Sequence, residues 1–347
     1  MEFEFVEYSD DQRKTYINSE MQYRSFLQKQ IRYNKSFRFR MGWNKAQNKE
    51  YLFKECLDTK KRVSLGRKNE ETLAIYEQFN RQKKELKASL RQSKELLLKN
   101  EKINKFTKIS RVPNVLVNLF RRINELGLDD KVIIIGTNSL YSYEAYCGVF
   151  IEEQHLATFD IDVFNKRDKK ISFALKEKLP QKTLRSILLD VDSSFKKSKE
   201  ASYRFVNDDD IVVEIIMPIF KNDLTNDTFS GVINLEINGI KWLNSSKLHK
   251  QMLIGLNGKC AFVTTIDPLE YAVYKKWLGK HERKDFMKKQ RDIKQSQLVA
   301  KLLEAYVPTI NLIEELDNIK NMSKDAIEQF KKEVLLLESE YIKGTTP

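Results

Sequence analysis

Residues 132–148, VIIIGTNSLYSYEAYCG, constrain the fold more than any other stretch of the chain. Four apolar residues, Val132 to Ile135, read as a short buried strand that stops at Gly136. Glycine allows tight backbone geometry, and Thr137, Asn138 and Ser139 are residue types that cap helices. The segment after them reads as a helix running to about Cys147, with Gly148 at its end. A strand that feeds a helix through such a turn is either an ordinary connection or a place where backbone amides meet phosphate. The second option has a physical basis, because a helix N-terminus offers free N–H groups and a partial positive charge.

Two further stretches bear on that choice. In ATFDIDVF, residues 157–164, strand alternation sends Phe159, Ile161 and Val163 to one face and both Asp160 and Asp162 to the other. Two carboxylates on one face repel each other unless a cation sits between them, and Mg²⁺ is commonly held by one or two carboxylates plus substrate phosphates. The bland alternative is an Asp-x-Asp in a surface turn. In DIVVEIIMPIF, residues 210–220, a nearly continuous apolar strand is broken only by Glu214. A lone carboxylate there is costly to bury unless paired or metal-bound. If this strand neighbours 159–164, Glu214 is the third carboxylate of one cluster; otherwise it forms a salt bridge to a Lys or Arg, or sits on an edge strand.

Composition narrows the class of protein. The chain has 347 residues, 41% hydrophobic and 32% charged, with a formal net charge of +13. That length suits two or three domains, and the basic excess suits a polyanionic partner such as a nucleotide or nucleic acid. The three cysteines, Cys56, Cys147 and Cys260, are widely spaced and give neither a zinc pattern nor a disulfide framework. No apolar run approaches the ~18 residues that span a bilayer, and the acidic start MEFEFVEYSD is unlike a signal peptide. The expectation is a cytoplasmic protein.

Along the chain, residues 9–33 read as a helix capped by Ser9 or Asp10. EYLFKECL and KRVSLG around DTKK read as a β-hairpin, and residues 69–106 as one long, highly charged helix. That helix is either a solvated face or a surface for nucleic acid. A helix at 114–126 ends at Gly127. Strands are expected at 132–135, 159–164, 202–206, 211–217, 232–237, 240–243, 252–255 and 260–265, the last four paired through Asn-Gly turns. Helices are expected near 181–189, 268–279, 283–304, 308–319 and 323–343, with Asp267 and Ser323 as caps. The fold class is therefore α+β: an N-terminal helical region with a β-hairpin (1–110), a mixed-sheet core with helices on one face (111–266), and a C-terminal helical domain (267–347).

Phosphate turn, strand Asp-x-Asp and a later strand acid occur in the order of a polymerase β-type nucleotidyltransferase. GTNSLYSYEAYCGV followed by ATFDIDVF resembles a bacterial family of this nucleotidyltransferase fold with a Gly-Thr-Asn-(Ala/Ser)-Leu-Tyr-(Ala/Ser)-Tyr-Glu-Ala signature. YLFKECLDTKKRVSLGRKNEET, IDPLEYAVYKKWL and RDIKQSQLVAKLL are similar to the family's hairpin, its Pro-led helix and its Lys/Arg-Asp-x-x-Gln helix, so the likeness runs from about residue 40 to 304. The resemblance implies that Gly136, Thr137, Asn138 and Ser139 grip a nucleoside triphosphate and that Asp160 and Asp162 bind metal, as two Mg²⁺ ions. It places Glu214 where relatives commonly carry aspartate, a departure in side-chain length. Tyr274 and Lys275 fall on the helix after Pro268, where a basic residue is expected to contact the triphosphate or base; Arg283, Arg291 and Asp292 are further candidates. Glu144 either braces the site or is solvated. The implied activity is transfer of a nucleoside monophosphate to a hydroxyl, on RNA or tRNA in a modifying enzyme or growth-inhibiting toxin. Transfer to a protein or small molecule, or a non-catalytic binding module, are the alternatives.

Overall fold

A computed structural model describes residues 3–156, 160–165, 184–199, 201, 203–216, 238–280, 286–309 and 311–344. The N-terminal part is a pair of antiparallel helices carrying a small sheet. Strand β1 (Phe5–Glu7) leads into helix α1 (Asp10–Ser36), where Ser9 caps through a reciprocal pair: Gln12 N–H donates to Ser9 Oγ, and Ser9 N–H donates to Gln12 Oε1. Strands β2 (Phe39–Ala46), β3 (Lys49–Cys56) and β4 (Arg62–Arg67) form an antiparallel meander, so the expected hairpin gains a third strand. The additional turn is Gln47–Asn48, both at positive φ (48° and 59°). That is the backbone of a two-residue hairpin turn written without the usual glycine, which hid it in the sequence. Helix α2 (Glu70–Phe106) follows as one continuous element of 37 residues, capped by Asn69.

Two buried asparagines fasten this helical arm to the rest. Asn124, on helix α3 (Asn114–Leu126), accepts from Tyr23 Oη at 2.9 Å and from Phe262 N–H at 2.8 Å, and donates to Phe262 C=O at 2.8 Å. Asn104 of α2 accepts from Ser19 Oγ at 2.7 Å and donates to Gly258 C=O at 2.8 Å. Both amides are fully buried, so each of these bonds replaces water that cannot enter.

The central sheet orders its strands β5 (Val132–Ile135), β7 (Asp160–Asn165), β10 (Val212–Ile216), β9 (Arg204–Val206) and β8 (Lys196–Lys197). Among the described strands of this sheet only the β7–β10 pair is parallel, so the sheet is mixed. Between β5 and β7 lie helix α4 (Leu140–Cys147), strand β6 (Val149–Ile151), which pairs with β1, and helix α5 (Glu153–Leu156). Helix α6 (Leu184–Val191) precedes β8.

The strand expected at 240–243 is instead part of helix α7 (Asn238–Ser245). Its buried positions, Gly239, Trp242, Leu243 and Ser246, repeat at helical spacing, and the Asn-Gly pair opens the helix rather than a hairpin. The strand expected at 232–237 lies outside the described residues. The second Asn-Gly turn does join a hairpin, β11 (Leu248–Ile254) with β12 (Cys260–Ile266), and Gly258 takes φ 78° there. The chain ends in helices α8 (Pro268–Gly279), α9 (Phe286–Tyr306), α10 (Leu312–Asn318) and α11 (Lys324–Gly344). Asp267 caps α8 by accepting from Leu269 and Glu270 N–H, and Ser323 Oγ accepts from Ala326 N–H. Among the described residues, no helix is long and apolar enough to cross a membrane.

Candidate active site

Strand register brings the three carboxylates to one face. β7 and β10 run side by side with Asp162 opposite Glu214 and Asp160 opposite Val212. Side chains at i and i+2 share a face, as do register partners, so Asp160, Asp162 and Glu214 lie together while Ile161, Val163, Val213 and Ile215 are buried on the other side. On the opposite edge of β7, Ile135 pairs with Asp162. That antiparallel pairing carries the Gly136 turn directly to the second aspartate. Gly136 adopts φ 73° and ψ −156°, and a Cβ added there would run into Asp162 Oδ2. Glycine is thus required twice at this position, for its backbone angle and for its missing side chain.

The electrostatics follow from the crowding. Burial pushes the Asp162 carboxyl up to about 6; the charges of Glu214 and Asp160 act in the same direction, while Lys275 and Arg291 oppose them. Glu214 is stabilised by its own cation, since Arg204 Nε and Nη2 donate to Glu214 Oε1 at 2.9 and 2.7 Å from the neighbouring strand β9. The ion pair weighed as an alternative for Glu214 is therefore present alongside the carboxylate neighbourhood.

The turn residues are committed more fully than their cap-like chemistry implied. Thr137 to Ser139 form a single 3₁₀ turn with no side-chain cap bond. Ser139 N–H donates to Gly136 C=O at 3.2 Å and Ser139 Oγ to Ile134 C=O at 3.3 Å. Asn138 Nδ2 donates to the Asp160 backbone carbonyl at 2.7 Å, so it ties the turn to β7. Thr137 Oγ1 accepts from Gln295 Nε2 at 3.0 Å, which leaves its own proton as a donor.

Helices α8 and α9 brace the turn from the C-terminal side. Tyr271 Oη donates to Gly136 C=O at 3.2 Å. Lys275 is buried and its Nζ pairs with Asp292 Oδ1 at 2.8 Å, so contact with a triphosphate requires it to share or leave that partner. Tyr274 stacks near Trp277, with ring centroids 6.2 Å apart. Burial, with the Asp292 and Asp162 charges, holds its hydroxyl above the usual tyrosine range. Arg291, Asp292 and Gln295 sit at i, i+1 and i+4 of α9: Asp292 holds Lys275, Gln295 holds Thr137, and Arg291 is exposed with its charge felt at Asp162. Arg283 lies outside the described residues. Gln295 and Tyr271 are the site residues that sequence reasoning passed over. The signal for Gln295 was the Arg-Asp-x-x-Gln spacing, which puts its ends one turn apart.

Glu144 is not solvated. It is 2% exposed, accepts from Ile151 N–H at 2.8 Å and pairs with Arg111 at 3.2 Å. Burial pushes its carboxyl up to about 8 against the pull of Arg111 and the Ile151 N–H. It fixes β6 to α4 and forms none of its hydrogen bonds or ion pairs with the carboxylate face.

Among the described residues, no group of three or more His, Cys, Asp and Glu side chains is arranged to hold a metal ion. The donor chemistry around Asp162 is nonetheless of one kind, hard carboxylate oxygens, which suits Mg²⁺ shared with a phosphate rather than an all-protein zinc cage.

The nucleotidyltransferase family model matches residues 114–318. The match begins at α3, ends at α10, and takes in every residue of the carboxylate face, the Gly136 turn and the bracing helices. It spans more than half of the chain, and the chain belongs to this family. No curated protein and no solved structure matches it.

Proposed function

We propose that the chain moves a nucleoside monophosphate from a nucleoside triphosphate to an acceptor hydroxyl at the Asp160–Asp162–Glu214 face, in a polymerase β-like arrangement. The observation that carries this reading is the register of β5, β7 and β10, which sets Gly136 and Glu214 on either side of Asp162. Asp160 and Asp162 would hold Mg²⁺, as two ions, with the nucleotide phosphates completing the shell. Bound Mg²⁺ stabilises charge on transferring and leaving oxygens and lowers the pKa of a bound hydroxyl. Thr137 Oγ1 donates its remaining proton to the triphosphate, and Arg291 supplies positive charge to it from the edge of the site. Glu214 would help hold the metal or accept the acceptor proton, with Arg204 fixing its carboxylate in place.

RNA, including tRNA, is the acceptor favoured by the basic excess of the chain. The pairing of Glu214 with Arg204 favours a second reading, a module that binds nucleotide without turnover. The test is incubation with Mg²⁺, each α-labelled nucleoside triphosphate, and either total RNA or lysate protein. Label on RNA is expected. Label on protein or a small molecule moves the acceptor, and nucleotide-dependent thermal stabilisation with no label and no pyrophosphate selects the non-catalytic module.

A further inference from the structure

The net charge of this protein sits in one part of it. Residues 10–106, the arm formed by α1, the meander and α2, hold 25 Lys and Arg against 12 Asp and Glu, a surplus equal to the +13 of the whole chain. Residues 37–69, the meander and its turns, hold ten against three. A polyanion drawn to this protein is drawn to the arm.

The meander has two different faces. Trp43 and Leu52, which are register partners, share the face packed on α2: Leu52 is fully buried and Trp43 meets Tyr76 of α2 at 5.6 Å. The other face carries Arg40, Gly42 and Asn44 from β2, Tyr51, Phe53 and Glu55 from β3, and Arg62, Ser64 and Arg67 from β4, as the register requires. It is built rather than merely basic. The Arg62 guanidinium lies over the Phe53 ring, 4.1 Å from its centroid, and donates twice to Glu55 Oε2, at 2.9 Å from Nε and 2.7 Å from Nη2. Arg40 takes the other oxygen, Oε1, at 2.9 Å, and these two arginines hold Glu55 below the usual carboxylate range. Gly42 leaves room for the Phe53 ring, whose Cζ stands 3.0 Å from where a Cβ would be. Beside this stack, Tyr51 faces Arg67 across the strands.

We propose that this outer face of the meander is a docking platform for single-stranded RNA. Bases stack on the Phe53–Arg62 layer and on Tyr51, while Arg40 and Arg67 meet the phosphates. Aromatic rings and Arg planes on the open face of a small sheet take unpaired bases, which a duplex does not offer because its bases are already stacked on each other. The choice of RNA over DNA rests on the acceptor reading above; the platform itself rests on the meander alone.

The test is fluorescence anisotropy of the full chain, without nucleotide, against a labelled 12-mer of uridine, a 12-base-pair RNA duplex and a 12-mer of thymidine. Binding is read separately from transfer, so it succeeds or fails whether or not the carboxylate face is active. Single-stranded RNA is expected to bind at least tenfold tighter than the duplex, and the affinity is expected to fall steeply with salt. Tyr51→Leu combined with Arg67→Gln, whose side chains form no hydrogen bond among the described residues while their backbones stay in the strand ladder, should weaken it roughly tenfold or more. It should also lower the salt slope by about one and leave the melting temperature unchanged. A thiouridine 12-mer should photocrosslink to wild-type residues 39–67. Equal binding of duplex, tighter binding of the thymidine 12-mer, full affinity in the double variant, or crosslinks confined elsewhere would each overturn the proposal.

Discussion

Gly136→Ala tests the geometry of the site at its tightest point. At φ 73° and ψ −156° the backbone occupies a region essentially reserved for glycine, and forcing an L-residue there costs ~1–3 kcal/mol. The new Cβ also meets Asp162 Oδ2. The turn cannot simply retreat, because Tyr271 holds the Gly136 carbonyl, Gln295 holds Thr137 and Asn138 is tied to Asp160. The carboxylate must move instead, and a displacement on the order of 1 Å at a reacting centre is worth about a hundredfold in rate. Gly127→Ala is the control. Gly127 also has a positive φ, 68°, but nothing lies within 4 Å of its absent Cβ. Urea denaturation should show both variants destabilised, and pyrophosphate release should fall about a hundredfold in Gly136→Ala alone. Equal turnover in the two variants would refute the claim that Gly136 exists to admit Asp162.

Two other perturbations separate structural from chemical roles. Glu144 titrates near 8 in the folded chain and near 4.5 when exposed, so the folded state holds the extra proton between those values. Stability should therefore fall, by an amount on the order of a few kcal/mol, as pH rises from about 4.5 to 8. In Glu144→Gln that slope should flatten, as read by urea midpoints across the range. Lys275→Ala leaves Asp292 buried without its 2.8 Å partner and should cost ~3–5 kcal/mol. Replacing both by apolar residues should recover much of that loss, whereas a lysine that only contacts nucleotide would leave the urea midpoint unchanged.

Much of this site was legible because its parts are local. A strand, a glycine and a helix announce themselves in VIIIGTNSLYSYEAYCG, and alternation alone puts Asp160 and Asp162 on one face. The pairing of β7 with β10 could only be supposed, since register is a long-range property. The same holds for the ties that Gln295 and Tyr271 make to the turn, across more than 130 residues of chain. Local signals also misled. Asn-Gly at 238–239 reads as a hairpin, yet the burial of Trp242 and Leu243 selects a helix, while a true hairpin turn hid in Gln47–Asn48. Thr137 and Ser139 look like free caps in the sequence, but distant Gln295 already engages the Thr137 hydroxyl and the Ser139 hydroxyl turns back to the Ile134 carbonyl of its own strand.

The central claim is that Asp160 and Asp162 carry nucleotidyl transfer. The most direct measurement is transfer of label from an α-labelled nucleoside triphosphate, with Mg²⁺ and RNA, by the wild type and by Asp160→Ala/Asp162→Ala. The account predicts transfer by the wild type and none by the double variant, with an unchanged circular dichroism spectrum and a melting temperature no lower, since a crowded, partly buried carboxyl has been removed. Transfer that persists in the folded double variant would contradict it.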